Sequence, residues 1–179
     1  LTFDIEDWFH ILDHKETKNE KDWINYESRV EKGLNVIFEL LEIHHTKATF
    51  FVLGWIAKKH PNLIRKIHEL GYEVGSHSHS HQLVYEQNRN SFRNDVEFSI
   101  KTLEDCIGHK VNCFRAPGFS ITEQTKWAFD VLSDLEITHD SSVFPTNRSH
   151  GGFNKFGSCY PSIIRTAGQT IKEFPINTY

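Results

Sequence analysis

Three histidines occupy alternating positions in the stretch EVGSHSHSHQ, residues 73–82. On a strand, His77, His79 and His81 would share one face; on a turn or helical start, His77 and His81 would share one side. Zinc-type divalent metals bind imidazole nitrogen and carboxylate oxygen, and a catalytic site keeps one coordination position open. The spacing therefore predicts a catalytic metal site if an acid joins two of these histidines. The competing interpretation is a solvent-exposed strand end.

A candidate acid lies in the stretch FDIED near the start of the sequence. Asp4 falls inside an apolar strand pattern, where an unpaired carboxylate is costly. We therefore expect a cationic partner, and Arg115 in FRAP is the best candidate. A carboxylate held ionised next to an activated water is what a general base requires. Two simpler interpretations stay open: the acids cap a turn, and Arg115 is a surface residue.

The elements that must position these residues alternate between strand-like and helix-like segments. Pro61 and Gly71 mark the two ends of one predicted helix, and Ser91, as N-cap, and Gly108 mark those of another. Such alternation predicts an α/β fold with a parallel sheet and crossover helices. The stretches DIED, GSHSHSH, FRAPGFS and THDSS all follow predicted strands, at the edge where parallel α/β folds build their sites.

Composition narrows the class of protein. The 179 residues are 38% hydrophobic and 25% charged, with a formal net charge of −4, which argues against nucleic acid as a partner. Three cysteines without close spacing indicate free thiols. No apolar run is long enough for a transmembrane segment. We expect one domain over residues 1–179 and favour a cytoplasmic location, with a periplasmic or extracellular one if an upstream signal is missing. The oligomeric state stays open.

The sequence resembles the polysaccharide deacetylases, the nodulation-type carbohydrate de-N-acetylases. LTFDIED, ATFFVLG, HPNLIRKIHELGYEVGSHSHSH, FRAPGFS and HDSSVFP carry the resemblance in order and spacing, and the opening is similar to a DxED subgroup associated with bacterial exopolysaccharide loci. The resemblance implies an α/β fold, a distorted (β/α) barrel with fewer than eight complete units. It also implies a metal-dependent hydrolase that removes N-acetyl groups from a glycan.

The first motif of this family carries a general base followed by an acidic metal ligand. Asp4 matches the base. The ligand in the family follows directly or after one residue, where this chain has Ile5 or Glu6, with Asp7 one further. The resemblance leaves Glu6 and Asp7 as candidates, and we favour Asp7.

The second and third motifs match more closely. His77, Ser78 and His81 fit the His-Ser/Thr-x-x-His pattern of metal ligands, which makes the histidine between them a spacer. Arg115 and Pro117 match the arginine that orients the base and the proline that lines the groove. The resemblance thus implies one divalent ion, with zinc as the first choice.

Aromatic residues near predicted strand ends, Trp8 and Phe119 among them, are candidates for stacking on sugar rings, although either could belong to the core. A backbone amide near Phe119 is the candidate for stabilising the oxyanion. The late Leu-x-His motif of the family, whose histidine is the general acid, has no match before Tyr179, so we expect the chain to be truncated at its C-terminus. Two alternatives to glycan deacetylation remain: a C–N hydrolase acting on a small cyclic amide, and a catalytically silent carbohydrate-binding scaffold.

Overall fold

A seven-stranded sheet organises the protein. A computed structural model describes residues 1–178 and, within them, every side chain except that of Lys15. The strands are β1 Thr2–Ile5, β2 Thr49–Val52, β3 Glu73–Ser76, β4 Cys113–Phe114, β5 His139–Asp140, β6 Ser162–Arg165 and β7 Thr170–Glu173. They are ordered β1-β2-β3-β4-β5-β7-β6, and every neighbouring pair is parallel except β6 with β7. The predicted parallel α/β fold is confirmed.

Strand register brings the polar strand ends together. Ile5 pairs with Val52, Val52 with Ser76, and Ser76 with Phe114, so four strands end at the same level. The residues that follow these ends therefore meet at one edge of the sheet, as the sequence predicted. Among residues 1–178 the sheet has free edges at β1 and β6, as in a distorted, unclosed barrel with fewer than eight units.

Within residues 1–178, five α-helices cover the sheet. They are α1 Val30–Ile43, α2 Gly54–Lys59, α3 Pro61–Glu69, α4 Arg89–Ile107 and α5 Trp127–Asp134. Their apolar side chains pack with those of the strands in one cluster, whose fully buried members include Phe50, Ile64 and Leu132. None of the helices in the described part of the chain is both long and apolar enough to cross a membrane.

The helix ends follow local chemistry, with one correction. Pro61 opens α3 and Gly71 adopts a φ of 76° after its end, as predicted. Gly108 ends α4 in the left-handed region. The predicted N-cap Ser91 is wrong, because Asn88 caps α4 through its side chain while the Ser91 hydroxyl accepts from the Asn88 amide. The two residues form a reciprocal capping box.

Candidate metal and catalytic centre

The histidine-rich stretch forms a turn. β3 ends at Ser76, and both Ser78 (φ 66°) and His81 (φ 54°) adopt left-handed conformations. The turn brings the ring centroids of His77 and His81 to 5.2 Å. His79 instead packs its ring edge-on against Phe98, 4.5 Å away. Of the two geometries considered from the sequence, the turn is the observed one, and His79 lies outside the pair.

Glu6 completes a group of three metal-ligand atoms. The nearest ligand atoms of Glu6, His77 and His81 all lie within 4.8 Å of one another. Glu6 Oε2 is 2.9 Å from His81 Nε2, yet this buried oxygen has no hydrogen-bond partner among the described residues. A buried carboxylate oxygen without a donor is costly, and a cation held between these atoms would satisfy it. The donor set of two imidazoles and one carboxylate therefore fits a divalent metal.

The tautomer of His77 is fixed by the backbone. His77 Nδ1 lies 2.8 Å from the carbonyl oxygen of Arg115. Because a carbonyl only accepts, Nδ1 carries the proton and Nε2 keeps its lone pair. This is the usual outer-shell arrangement of a metal-binding histidine. Burial lowers the pKa of His77 despite the opposing charge of Asp4, so the ring is neutral at pH 7 and able to act as a ligand.

Asp7, the favoured third ligand, lies outside this group. Its carboxylate accepts hydrogen bonds from the backbone amides of Trp8 (3.2 Å) and Arg29 (3.0 Å) and from the Ser28 hydroxyl. Those bonds hold Asp7 in a capping role, whereas Glu6 is the acid that lies with the two histidines. Strand alternation was the available signal, because an extended chain continued past β1 would put residues 4 and 6 on one side and residues 5 and 7 on the other.

The expected Asp4–Arg115 ion pair is present. Arg115 Nη1 donates to Asp4 Oδ1 at 2.8 Å, and the guanidinium also bonds Thr2 Oγ1 and both the carbonyl and hydroxyl oxygens of Ser141. Its carbon lies 4.3 Å from the centroid of the Phe51 ring. Arg115 is 4% exposed. The bonds that the guanidinium donates to Ser141, on the stretch THDSS, fix the orientation of the cation.

The environment keeps Asp4 ionised. Burial alone would raise the pKa of Asp4, but the charges of His77 and Arg115 and the Arg115 hydrogen bond lower it below its ordinary value. His77 is neutral at pH 7, so Arg115 is the cation that acts there. An ionised carboxylate close to the metal-ligand group has the protonation state of a general base.

A cavity of about 540 Å³ opens next to His81. Its wall includes Lys18, Tyr85, Glu86 and His150, a mixture of charged, aromatic and hydrogen-bonding groups. Such a lining suits a polar ligand with many hydroxyl groups.

The three expected substrate-binding residues, Trp8, Pro117 and Phe119, lie in three different environments. Trp8 is 43% exposed and borders a shallow pocket shared with Asp4 and Glu6, while its indole nitrogen donates to the Glu27 carbonyl. Pro117 is buried. Phe119 lies under the Arg115 guanidinium, and its own amide donates to the Ala116 carbonyl.

His10 adjoins the site although none of the motifs indicated it. Its imidazole is 3% exposed, accepts the Asp7 amide at Nδ1 and lies 6.3 Å from the His81 ring. Burial, with the nearby His81 and His77, lowers the pKa of His10 to about 3. The Asp-x-x-His spacing was the signal that could have indicated it, because a side chain at the third helical position reaches back to the cap amide.

Known proteins share both sequence and fold with this chain. It is 36% identical over 93 residues to a peptidoglycan-N-acetylglucosamine deacetylase of Bacillus cereus, covering 51% of this chain and 34% of that protein. It is 30% identical over 86 residues to a chitooligosaccharide deacetylase of Azorhizobium caulinodans, covering 45% and 39%. The matches thus span less than half the length of these relatives.

A Mycobacterium smegmatis crystal structure assigned to the polysaccharide deacetylases has the same fold. It superposes with a TM-score of 0.76 at 20% identity, covering 98% of this chain and 57% of that one. A mutant of BA3943, a CE4-family pseudoenzyme from Bacillus anthracis, superposes at 0.58 with 20% identity, covering 85% and 42%. The polysaccharide deacetylase family model matches residues 14–138, more than half of the sequence, and the chain therefore belongs to the polysaccharide deacetylase family.

Proposed function

We propose that this chain carries the catalytic site of a metal-dependent hydrolase that removes N-acetyl groups from a carbohydrate. One observation carries the proposal: an arginine-paired carboxylate, Asp4, adjoins the buried group formed by Glu6, His77 and His81. Hydrolysis of an amide needs a base for the attacking water and an electrophile for the carbonyl oxygen. The two halves of the site match these two needs.

Glu6, His77 and His81 would hold the divalent ion, and zinc is the first choice for two imidazoles and one carboxylate. Other divalent metals suit the same donors, and availability decides among them. When bound, the ion would supply a Lewis acid that polarises the acyl oxygen of the acetamide. The His77–Arg115 carbonyl bond holds one ligand ring in position before the metal arrives.

Asp4 would take the proton from the attacking water. Its pairing with Arg115 keeps the carboxylate ionised and limits its rotation, so one oxygen stays directed by the guanidinium while the other is left for the water. A positioned base of this kind contributes about 10²–10⁴-fold to the rate. Arg115 would act through Asp4 as a positioning residue.

An N-acetylated glycan is the substrate class that we propose. The relatives named above are deacetylases of peptidoglycan N-acetylglucosamine and of chitooligosaccharides. The cavity beside His81 presents Lys18, Tyr85 and Glu86, which are suited to hydrogen bonding and stacking with sugar rings. A small cyclic amide would use few of these groups.

The same site argues against a catalytically silent scaffold. Similarity to a pseudoenzyme at 20% identity concerns the fold alone. Glu6 has a buried carboxylate oxygen without a donor, and Asp4 is kept charged by a buried arginine. Each feature costs free energy to bury, and a protein that only binds a glycan needs neither of them.

The test is metal content and acetate release, measured on protein with its natural termini and without a histidine tag. We expect about one equivalent of metal and acetate release from N-acetylated chitooligosaccharides or peptidoglycan fragments. Asp4→Asn should keep the metal while activity falls by roughly 10²–10⁴-fold.

Three outcomes would contradict the proposal in different ways. Loss of metal from Asp4→Asn would make Asp4 a ligand. Hydrolysis of cyclic amides without acetate release would establish a C–N hydrolase that acts on small cyclic amides. Full metal content together with glycan binding, but no hydrolysis of any N-acetylated glycan or amide, would establish a scaffold.

A further inference from the structure

The Glu6 carboxylate takes its position from the backbone. Among the described residues, no group donates a hydrogen bond to it, and its buried Oε2 only approaches His81 Nε2, at 2.9 Å, a fellow member of the metal-ligand group. His77, by contrast, is oriented by a carbonyl through its second nitrogen. The direction in which Glu6 points therefore depends on the conformation of the turn that follows it.

Two side chains fix that turn. The Asp7 carboxylate accepts from the amides of Trp8 and Arg29, which ties the turn to the residue preceding α1. The Asp7 amide in turn donates to His10 Nδ1 at 2.8 Å. The residue immediately after Glu6 is thus held at both its amide and its side chain.

His10 is itself immobilised. Its ring is 3% exposed and packs edge-on against Trp23, with ring centroids 4.3 Å apart, and against Trp55 at 5.4 Å. Since Nδ1 accepts the Asp7 amide, the neutral ring carries its proton on Nε2. His10 is absent from the metal-ligand group of the described residues, although its ring lines the cavity beside His81 at a centroid distance of 6.3 Å. Its hydrogen bond toward Glu6 runs through the Asp7 amide.

We propose that Asp7 and His10 form a backbone clamp that positions Glu6 for metal binding. The inference rests on the proposed metal site and assigns both residues as positioning residues. If the Asp7 amide loses its acceptor, a buried donor is left unpaired and the turn must rearrange to satisfy it. Glu6, the adjoining residue, would then lose its alignment with His77 and His81.

Two variants of His10 separate the hydrogen bond from the packing. His10→Phe keeps an aromatic ring between the tryptophans but has no acceptor. His10→Gln loses the ring but supplies an acceptor that reaches a cap amide from the third helical position. Metal affinity would be measured by competition with a chromogenic chelator, and ligand geometry by the visible spectrum of the Co²⁺-loaded protein.

We expect His10→Phe to weaken metal binding by about 10–100-fold and to alter the Co²⁺ spectrum, the usual effect of losing an outer-shell partner. His10→Gln should recover most of both. Thermal unfolding of the metal-free variants reports stability separately.

A metal affinity of His10→Phe within twofold of the wild type would overturn the clamp. Equal losses of metal affinity in His10→Phe and His10→Gln would also overturn it, because they would show that His10 acts through packing alone. A wild-type protein that binds no metal would overturn the proposed function and the clamp with it.

Discussion

Arg115 is the residue whose removal should disturb the site most severely without touching the metal ligands. It is 4% exposed and donates four hydrogen bonds, to Asp4, to Thr2 and twice to Ser141. Arg115→Met keeps an unbranched apolar side chain and removes every donor, together with the guanidinium whose carbon lies over Phe51. The substitution therefore tests the polar contacts of the guanidinium.

The expected cost follows from what is left unpaired. Breaking a buried ion pair by removing one partner costs about 3–5 kcal/mol. The Asp4 side chain is 27% exposed and regains some water, which favours the lower end, but the buried carbonyl of Ser141 also loses its donor. We expect the free energy of unfolding to fall by about 3 kcal/mol, a large part of the 5–15 kcal/mol of a typical domain.

A double-mutant cycle isolates the ion pair. Adding Asp4→Asn to Arg115→Met removes the unpaired charge, so the double variant should be about 1.5 kcal/mol more stable than the sum of the single effects predicts. Urea unfolding of metal-free protein supplies all four free energies. Arg148→Met is the matched control, because its guanidinium also lies over Phe119, at 5.0 Å, and should cost about 0.5–1 kcal/mol.

A loss below 1 kcal/mol for Arg115→Met would refute this reasoning. So would strict additivity of the Arg115 and Asp4 substitutions, because the contact at 2.8 Å would then contribute nothing to the native state.

Two further predictions concern other carboxylates. Glu6→Ala should abolish stoichiometric metal binding. Asp7→Asn should keep it, because asparagine retains an acceptor for the Arg29 amide. Elemental analysis measures the metal content of both variants, and the reverse result would make Asp7 the ligand. Burial and the neighbouring Asp140 raise the pKa of Glu173, so Glu173 favours the protonated form in the folded protein and stability is lost as pH rises above its ordinary value of 4.5. Glu173→Gln should flatten the pH dependence of the free energy of unfolding between pH 5 and 8, and a slope equal to that of the wild type would contradict it.

Much of the framework was predictable from the sequence. Alternating strand and helix patterns predicted the parallel pairing that the sheet shows outside the β6–β7 pair. Pro61 and Gly71 marked the ends of α3 because each has a conformational reason to stand there. The Asp4–Arg115 pair was predictable for an energetic reason, since a carboxylate in an apolar strand requires a cation.

The third ligand was less accessible to sequence reasoning. Glu6 and Asp7 are adjacent acids, and which of them reaches the histidines depends on where β1 ends and how the next turn is held. That turn is fixed by Ser28 and Arg29, about twenty positions away in sequence, and by His10, whose Asp-x-x-His spacing indicates a helix cap but not a link to Glu6. Long-range hydrogen bonds of this kind leave no periodic signal.

The geometry of the histidine turn depends on a second segment in the same way. Left-handed conformations at Ser78 and His81 are uncommon for residues other than glycine, so the sequence alone favoured neither turn nor strand. The first amides of α2 donate to the carbonyls of Ser78 (2.8 Å) and His79 (3.3 Å), which stabilises the turn from the neighbouring strand end. A Cβ at Gly54 would lie only 2.7 Å from His79 Nδ1. The glycine that interrupts ATFFVLGWIA therefore lets α2 begin against the turn, and the spacer histidine, although no ligand, fills the space that this glycine leaves.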